Sequence, residues 1–208
     1  MSFSLKTFVK VRPFLYHVTA AKNLDGLRAL RKLISVTELS EEYANLAQPR
    51  GLSESAYYRG AHIGLGDQRP LCRNRNQMCL DGGWEFEKFL QELNRRVFFF
   101  PGTPDRLPRN CEDFIRRKEA NKLQLAILRI PTMLLINENR DKLPEFCKHN
   151  SGAPRMTNGR RSPRGPNTFV NEKTASFTSS QVKEVSLIGS VFLPKSTTLR
   201  RAAGWADF

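Results

Sequence analysis

The apolar residues of this chain come in short runs cut by proline, glycine or charge, and the sharpest is Val97-Phe98-Phe99-Phe100. Arg95-Arg96 precede it and Pro101-Gly102 close it. A continuous apolar run this short, punctuated in this way, predicts a buried strand. Leu123–Ile130, stopped by Pro131, predicts a second, and Val182–Leu193 predicts two more, broken at Gly189. No run approaches the ~18 apolar residues needed to cross a bilayer. The opening MSFSLKTFVKVRPFLYH has charges inside every apolar cluster and no small-residue cleavage site, so it reads as part of the folded domain, not as a signal peptide.

Between these runs the period changes. Leu24, Leu27, Leu30 and Ile34 recur at three- and four-residue intervals, an amphipathic helix that Thr19 or Asn23 is placed to cap. Phe86, Phe89, Leu90 and Leu93 repeat that pattern in the segment 84–93. Asn110 followed by Glu112 and Asp113 marks a helix start, because acids there meet the positive end of the dipole. The segment from Phe8 to Thr19, with β-branched and aromatic residues around Pro13, reads as a strand. From Val36 to about Met78 the chain is polar and reads as short helices and loops, with Tyr57–Ile63 a weak helix or strand. The order of elements predicts an α+β fold, a single domain over 1–208 with strands in one or two small sheets.

At 208 residues, with 39% hydrophobic and 26% charged side chains, the chain can bury a core without disulfides. Cys72, Cys79, Cys111 and Cys147 are too widely and irregularly spaced for a zinc site, and they read as reduced thiols of a cytoplasmic protein. His17, His62 and His149 show no metal-ligand spacing either, so no metal is expected. The net charge of +14 makes a polyanion the expected partner. It concentrates in a Gly/Pro/Arg loop at 150–168 carrying Arg155, Arg160, Arg161 and Arg164.

Four constellations could carry chemistry. His17 and Thr19 share one side of a strand end, and Asn23 follows one helical turn later. Together they offer a ring nitrogen, a hydroxyl and an amide, suited to a ribose or a carboxamide. The bland alternative is a histidine on a backbone carbonyl and a threonine cap. Glu184, within Val182-Lys183-Glu184-Val185, projects opposite the core-facing Val185 and Leu187, into either solvent or a cleft. Phe98–Phe100 could wall a pocket for a flat ring, though core packing accounts for most of them. Arg69, with Arg73 and Arg75 close behind, could clamp a diphosphate through paired donors, or simply be solvated.

Taken in order, Tyr16-His17-Val18-Thr19, the Asn23-Leu24 helix start, Phe98-Phe99-Phe100-Pro101 and Val182-Lys183-Glu184-Val185 resemble the ADP-ribosyltransferase superfamily, most closely the DarT-type enzymes that modify DNA bases. The resemblance spans Phe14 to Pro194. It implies a domain with small split sheets around an NAD cleft. His17 and Thr19 would hold the nicotinamide end, Asn23 the ribose or phosphate region, and Phe100 would lie beside the nicotinamide. Glu184 would be the catalytic carboxylate and Arg69 the site arginine, with Arg59 and Arg50 as rivals. Transferases that modify protein side chains carry Gln or Glu two residues before that carboxylate. Val182 stands there in this chain, which favours a nucleic-acid acceptor.

The resemblance thus implies NAD as co-substrate without a metal. The reaction is transfer of ADP-ribose to a base, DNA ahead of RNA, as in a toxin or phage-defence effector with a neutralising antitoxin or reversing hydrolase as partner. The 150–168 arginines would track phosphates beside an unpaired or flipped-out base. A non-catalytic nucleic-acid-binding module is the alternative of a different class. An NAD glycohydrolase or an RNA 2′-phosphotransferase would keep the fold and change the reaction.

Overall fold

The computed structural model describes residues 3–40, 55–66, 68–154, 156–157, 159–201 and 204–208. The first elements are α1 (Leu5–Val11), β1 (Phe14–Ala20), α2 (Leu24–Leu30), β2 (Lys32–Leu33) and α3 (Val36–Ser40). They are followed by β3 (Ser55–Tyr58), β4 (Ala61–Gly64), α4 (Arg69–Arg73), β5 (Cys79–Leu80), α5 (Phe86–Asn94) and β6 (Arg96–Gly102). The middle of the chain holds α6 (Arg109–Glu119), β7 (Leu125–Pro131), α7 (Thr132–Glu138) and β8 (Glu145–Cys147). Then come β9 (Met156–Thr157), β10 (Arg160–Arg161), β11 (Pro163–Arg164), β12 (Glu184–Ile188), β13 (Val191–Phe192), β14 (Thr198–Arg201) and β15 (Gly204–Asp207). The fold is mixed α+β.

A seven-stranded sheet in the order β15-β14-β7-β1-β6-β12-β8 organises the molecule. The buried runs expected at Val97–Phe100, Leu123–Ile130 and Val182–Leu193 supply its centre. β6 serves two partners. Its end, Phe100–Gly102, pairs with β1, and its start, Arg96–Phe99, pairs with β12. The β1–β6 register stops at Tyr16↔Phe100, although β1 continues along β7 to Ala20. The sheet therefore parts into two halves at His17.

Strand alternation sorts the side chains into two faces. Leu15, Val97, Phe99, Leu128, Phe146, Val185 and Leu187 pack on one side with Phe8 of α1, Leu27 of α2 and Leu135 of α7. On the other side Tyr16, Phe100 and Ile127 meet Cys111 and Ile115 of α6. Phe98 there joins Phe86 and Phe89 of α5 and Phe169.

Several expectations are corrected. Phe8 lies in α1, not in the first strand, because Ser4 caps a helix that ends before Pro13. Of the helix and strand alternatives at Tyr57–Ile63, the structure takes strand, folded as the β3–β4 hairpin. Helix α7 and the β14–β15 hairpin were not anticipated; β14 joins the sheet through Thr198↔Arg129 and Leu199↔Leu128. Within 150–168, β11 runs parallel to β5, so this segment is not a free loop. Gly165, next to β11, approaches Asp81 so closely that a Cβ would sit 2.7 Å from the Asp81 carbonyl oxygen. Gly165→Ala is expected to lower stability by about 1–3 kcal/mol, measured by chemical denaturation.

The second half-sheet also buries a charge network. Arg96 (8% exposed) pairs with Glu92 at 2.6 Å and with Glu145 at 2.7 Å, and its guanidinium lies 4.1 Å from the Phe169 ring centre. Burial works to raise the Glu92 carboxyl, but hydrogen bonds from Arg96 and Lys88 and the charges of Arg96 and Arg95 hold it at about 2, against an ordinary 4.5. A depressed folded-state pKa gives stability that is complete above the unfolded value and lost as pH falls through the folded one. Unfolding free energy should thus drop by about 3 kcal/mol from this group between pH 5 and pH 2. Glu92→Gln should remove that share of the acid limb, read by urea melts across the range.

Candidate functional site

Glu184 opens β12, an interior strand between β6 and β8, and faces the side of Ser186, Phe98 and Cys147. It is 5% exposed. Its Oε2 accepts from the Ser151 main-chain N–H at 2.9 Å and from the Ser151 hydroxyl at 2.7 Å. Among the described residues it enters no ion pair. Burial raises its carboxyl above the usual range, opposed by the two Ser151 hydrogen bonds and by the charge of Arg164. A raised carboxyl binds its proton more tightly in the folded state. Its burial penalty therefore appears as pH rises above the ordinary carboxylate range.

Ser151 is set in place by Arg164. That arginine is fully buried, and its guanidinium donates to the carbonyls of Asn150, Ser151, Ala153, Ser162 and Pro163 at 3.0–3.4 Å. The expectation that Arg164 reaches phosphates is corrected, since its donors close a loop over Glu184. Arg160 and Arg161 on β10 are exposed, and Arg161 also donates to the Asn76 carbonyl at 2.7 Å. Arg155 and Arg50 lie outside the described residues. Arg69 opens α4, with its side chain outside them too.

His17 sits where the half-sheets part. Its Nδ1 lies 2.9 Å from the Phe98 carbonyl oxygen, and its ring is 5.7 Å from that of Phe99. Burial lowers its pKa, against the Phe98 hydrogen bond, which raises it. A carbonyl only accepts, so Nδ1 carries the proton and Nε2 of the neutral ring presents a lone pair. Thr19 accepts from the Asn23 amide at 2.8 Å. The same Asn23 amide donates to the Gly64 carbonyl at 2.9 Å, and its oxygen accepts from the Gly64 N–H at 2.6 Å. Asn23 is a strut between the Ala21–Asn23 turn and β4, and the expectation of an open ribose contact is corrected.

Phe100 is also corrected. It is 9% exposed and packs under α6, its ring 5.7 Å from Phe114, so it belongs to the core and does not wall an open cleft. Phe98 is the half-exposed member of the run, with its ring 6.0 Å from Phe169.

The structure thus builds two groups, one around His17 and Thr19, the other around Glu184 and Ser151. Val185↔Phe99 and Tyr16↔Phe100 set Glu184 two strands from Tyr16, about 10 Å across the sheet. Alternation turns His17 toward the side of Leu15 and Glu184 toward that of Tyr16. Sharing one ligand requires passage through the parting of β1 and β6, because the two do not lie on one face. Phe98 joins the groups, holding His17 by its carbonyl while its side chain lies beside Ser186. Cavities of about 380 and 540 Å³ open elsewhere, beside α6 and beneath the β3–β4 hairpin; neither is lined by Glu184 or His17. Ser151 was not foreseen, since 33 residues separate it from Glu184 and no local spacing links them.

A family model covers residues 13–196, and the chain belongs to that family, described as "Family of unknown function (DUF7002)". Neither the curated proteins nor the solved structures contain a match to the chain.

Proposed function

We propose that this member of a family without an assigned activity is an NAD-dependent ADP-ribosyltransferase acting on a nucleic-acid base, with Glu184 as its catalytic carboxylate. The observation that carries the reading is a carboxylate buried on an interior strand, raised by that burial and held through one oxygen, about 10 Å from the strand bearing His17. Carboxyls perturbed by burial within a fold are enriched at functional sites.

The donor set on either side of the parting fits the ribose end of NAD. His17 Nε2 would accept from a ribose hydroxyl or the carboxamide, and the Thr19 hydroxyl would donate beside it. The dinucleotide would supply an electrophilic anomeric carbon and a neutral leaving heterocycle. Glu184 would favour positive charge developing at that carbon and accept the proton of the attacking group. Ser151 would fix which carboxylate oxygen faces the sugar. The surplus of basic side chains, with Arg160 and Arg161 exposed, supports a polyanionic acceptor.

The test is incubation with NAD labelled in the adenylate half, offering single-stranded DNA, duplex DNA, RNA and protein in parallel. Label on nucleic acid with equimolar nicotinamide is the expected result. Label on protein alone would overturn the acceptor, and absence of nicotinamide release would overturn the enzyme.

A further inference from the structure

The β3–β4 hairpin turns on Arg59 and Gly60, both at positive φ, 48° and 78°. Gly60 adopts this conformation freely, whereas a long side chain there carries steric strain of roughly 1 kcal/mol. Asn or Gly would make the same turn without it. Arg59 is exposed, stacks at 5.4 Å on Tyr58, and enters no ion pair among the described residues. The inward residues Ala56, Tyr58, Ala61 and Ile63 pack with Leu39. Outward, Tyr57 is 62% exposed and meets the His62 ring edge-on at 5.4 Å.

Beneath the tip lies the cavity of about 540 Å³, lined by Ser35, Thr37, Tyr58, Arg59, Arg95 and Gly189, among others. Its acid, Glu38, is matched by Lys32 at 2.8 Å. The Glu92 carboxylate that Arg95 meets at 3.1 Å is shared with Arg96 and Lys88. Among the described residues, Arg59 and Arg95 therefore leave the cavity net positive. An exposed aromatic on the outer face of the hairpin, two residues from an arginine at its turn, suits a single strand that crosses the tip, since bases stack on the ring and phosphates meet guanidinium. Ile188 also lines the cavity and lies on the Glu184 side of β12, about 13 Å along that strand from the carboxylate.

We propose that a single-stranded nucleic acid docks across this hairpin tip, with a phosphate between Arg59 and Arg95 and a base on Tyr57. Its role as the transfer acceptor rests on the proposed function; its binding does not.

The experiment is fluorescence anisotropy with a labelled 12-mer oligothymidine, the matching oligouridine, a duplex and polyglutamate. Arg59→Gly keeps the turn and should weaken binding of the single strand about tenfold, reducing the log–log salt slope by about 0.7. Tyr57→Ala should weaken it by about tenfold, with Tyr57→Phe close to wild type. Preference for either oligothymidine or oligouridine supports the site and names the acceptor's sugar. Variants binding within twofold of wild type, polyglutamate binding as tightly as the oligonucleotides, or no oligonucleotide binding would overturn it. Nicotinamide release by the wild-type protein given both NAD and the oligonucleotide reads the transferase separately. Its absence alongside weakened hairpin variants would sink the enzyme and leave the docking site standing.

Discussion

Glu184→Gln is expected to lower nicotinamide release at least about 100-fold while the protein still folds. The amide keeps an oxygen to accept from the Ser151 N–H and hydroxyl, so the loop above β12 retains its anchor. It loses the negative charge and the proton acceptor. Because burial raises the Glu184 carboxyl, the neutral amide should also remove a destabilisation that grows above the ordinary carboxylate range. The variant should melt at or above the wild-type temperature at pH 8 and converge with it in acid. The paired readouts are nicotinamide release and thermal melts at several pH values. A folded, active Glu184→Gln protein would remove the mechanism.

Arg164→Met is expected to cost about 3–5 kcal/mol of stability, close to the largest effects single substitutions produce. Methionine has similar reach but leaves five carbonyls, those of Asn150, Ser151, Ala153, Ser162 and Pro163, without the guanidinium. The Ser151 that steers Glu184 would lose its support, so nicotinamide release should fall with stability. Arg164→Lys should recover only part of either, since one ammonium cannot span that many acceptors. Chemical denaturation measures the stability. A variant as stable as wild type would show that the guanidinium is dispensable to the loop.

Which parts were legible in the sequence follows from how local their signals are. Val97–Phe100 and Leu125–Pro131 are strands because short apolar runs closed by proline can satisfy their burial in few other ways. Helix α5 follows from Phe86, Phe89, Leu90 and Leu93 sharing a stripe. Phe8 misled because α1 is only seven residues long and depends on a Ser4 cap and on packing against Phe3 and Phe146. The β14–β15 hairpin is held by its docking on β7, a contact with no trace in local pattern. Asn23 and Phe100 were offered as ligand contacts by their place in the resembling motifs, and Arg164 by its residue type within a basic segment. Type does not say whether donors and rings face outward or are already taken up within the fold.

By itself the sequence determined the mixed α+β class, the central strands and the cationic surplus. Only the tertiary structure decided that the sheet parts at His17, that Glu184 is enclosed by Ser151 under a loop held by a buried arginine, and that His17 faces the other side. The reason is physical. Periodicity and composition act over a few residues, whereas burial, carboxyl ionisation and strand register are set by partners far away along the chain, 33 residues for Ser151 and 81 for Phe98.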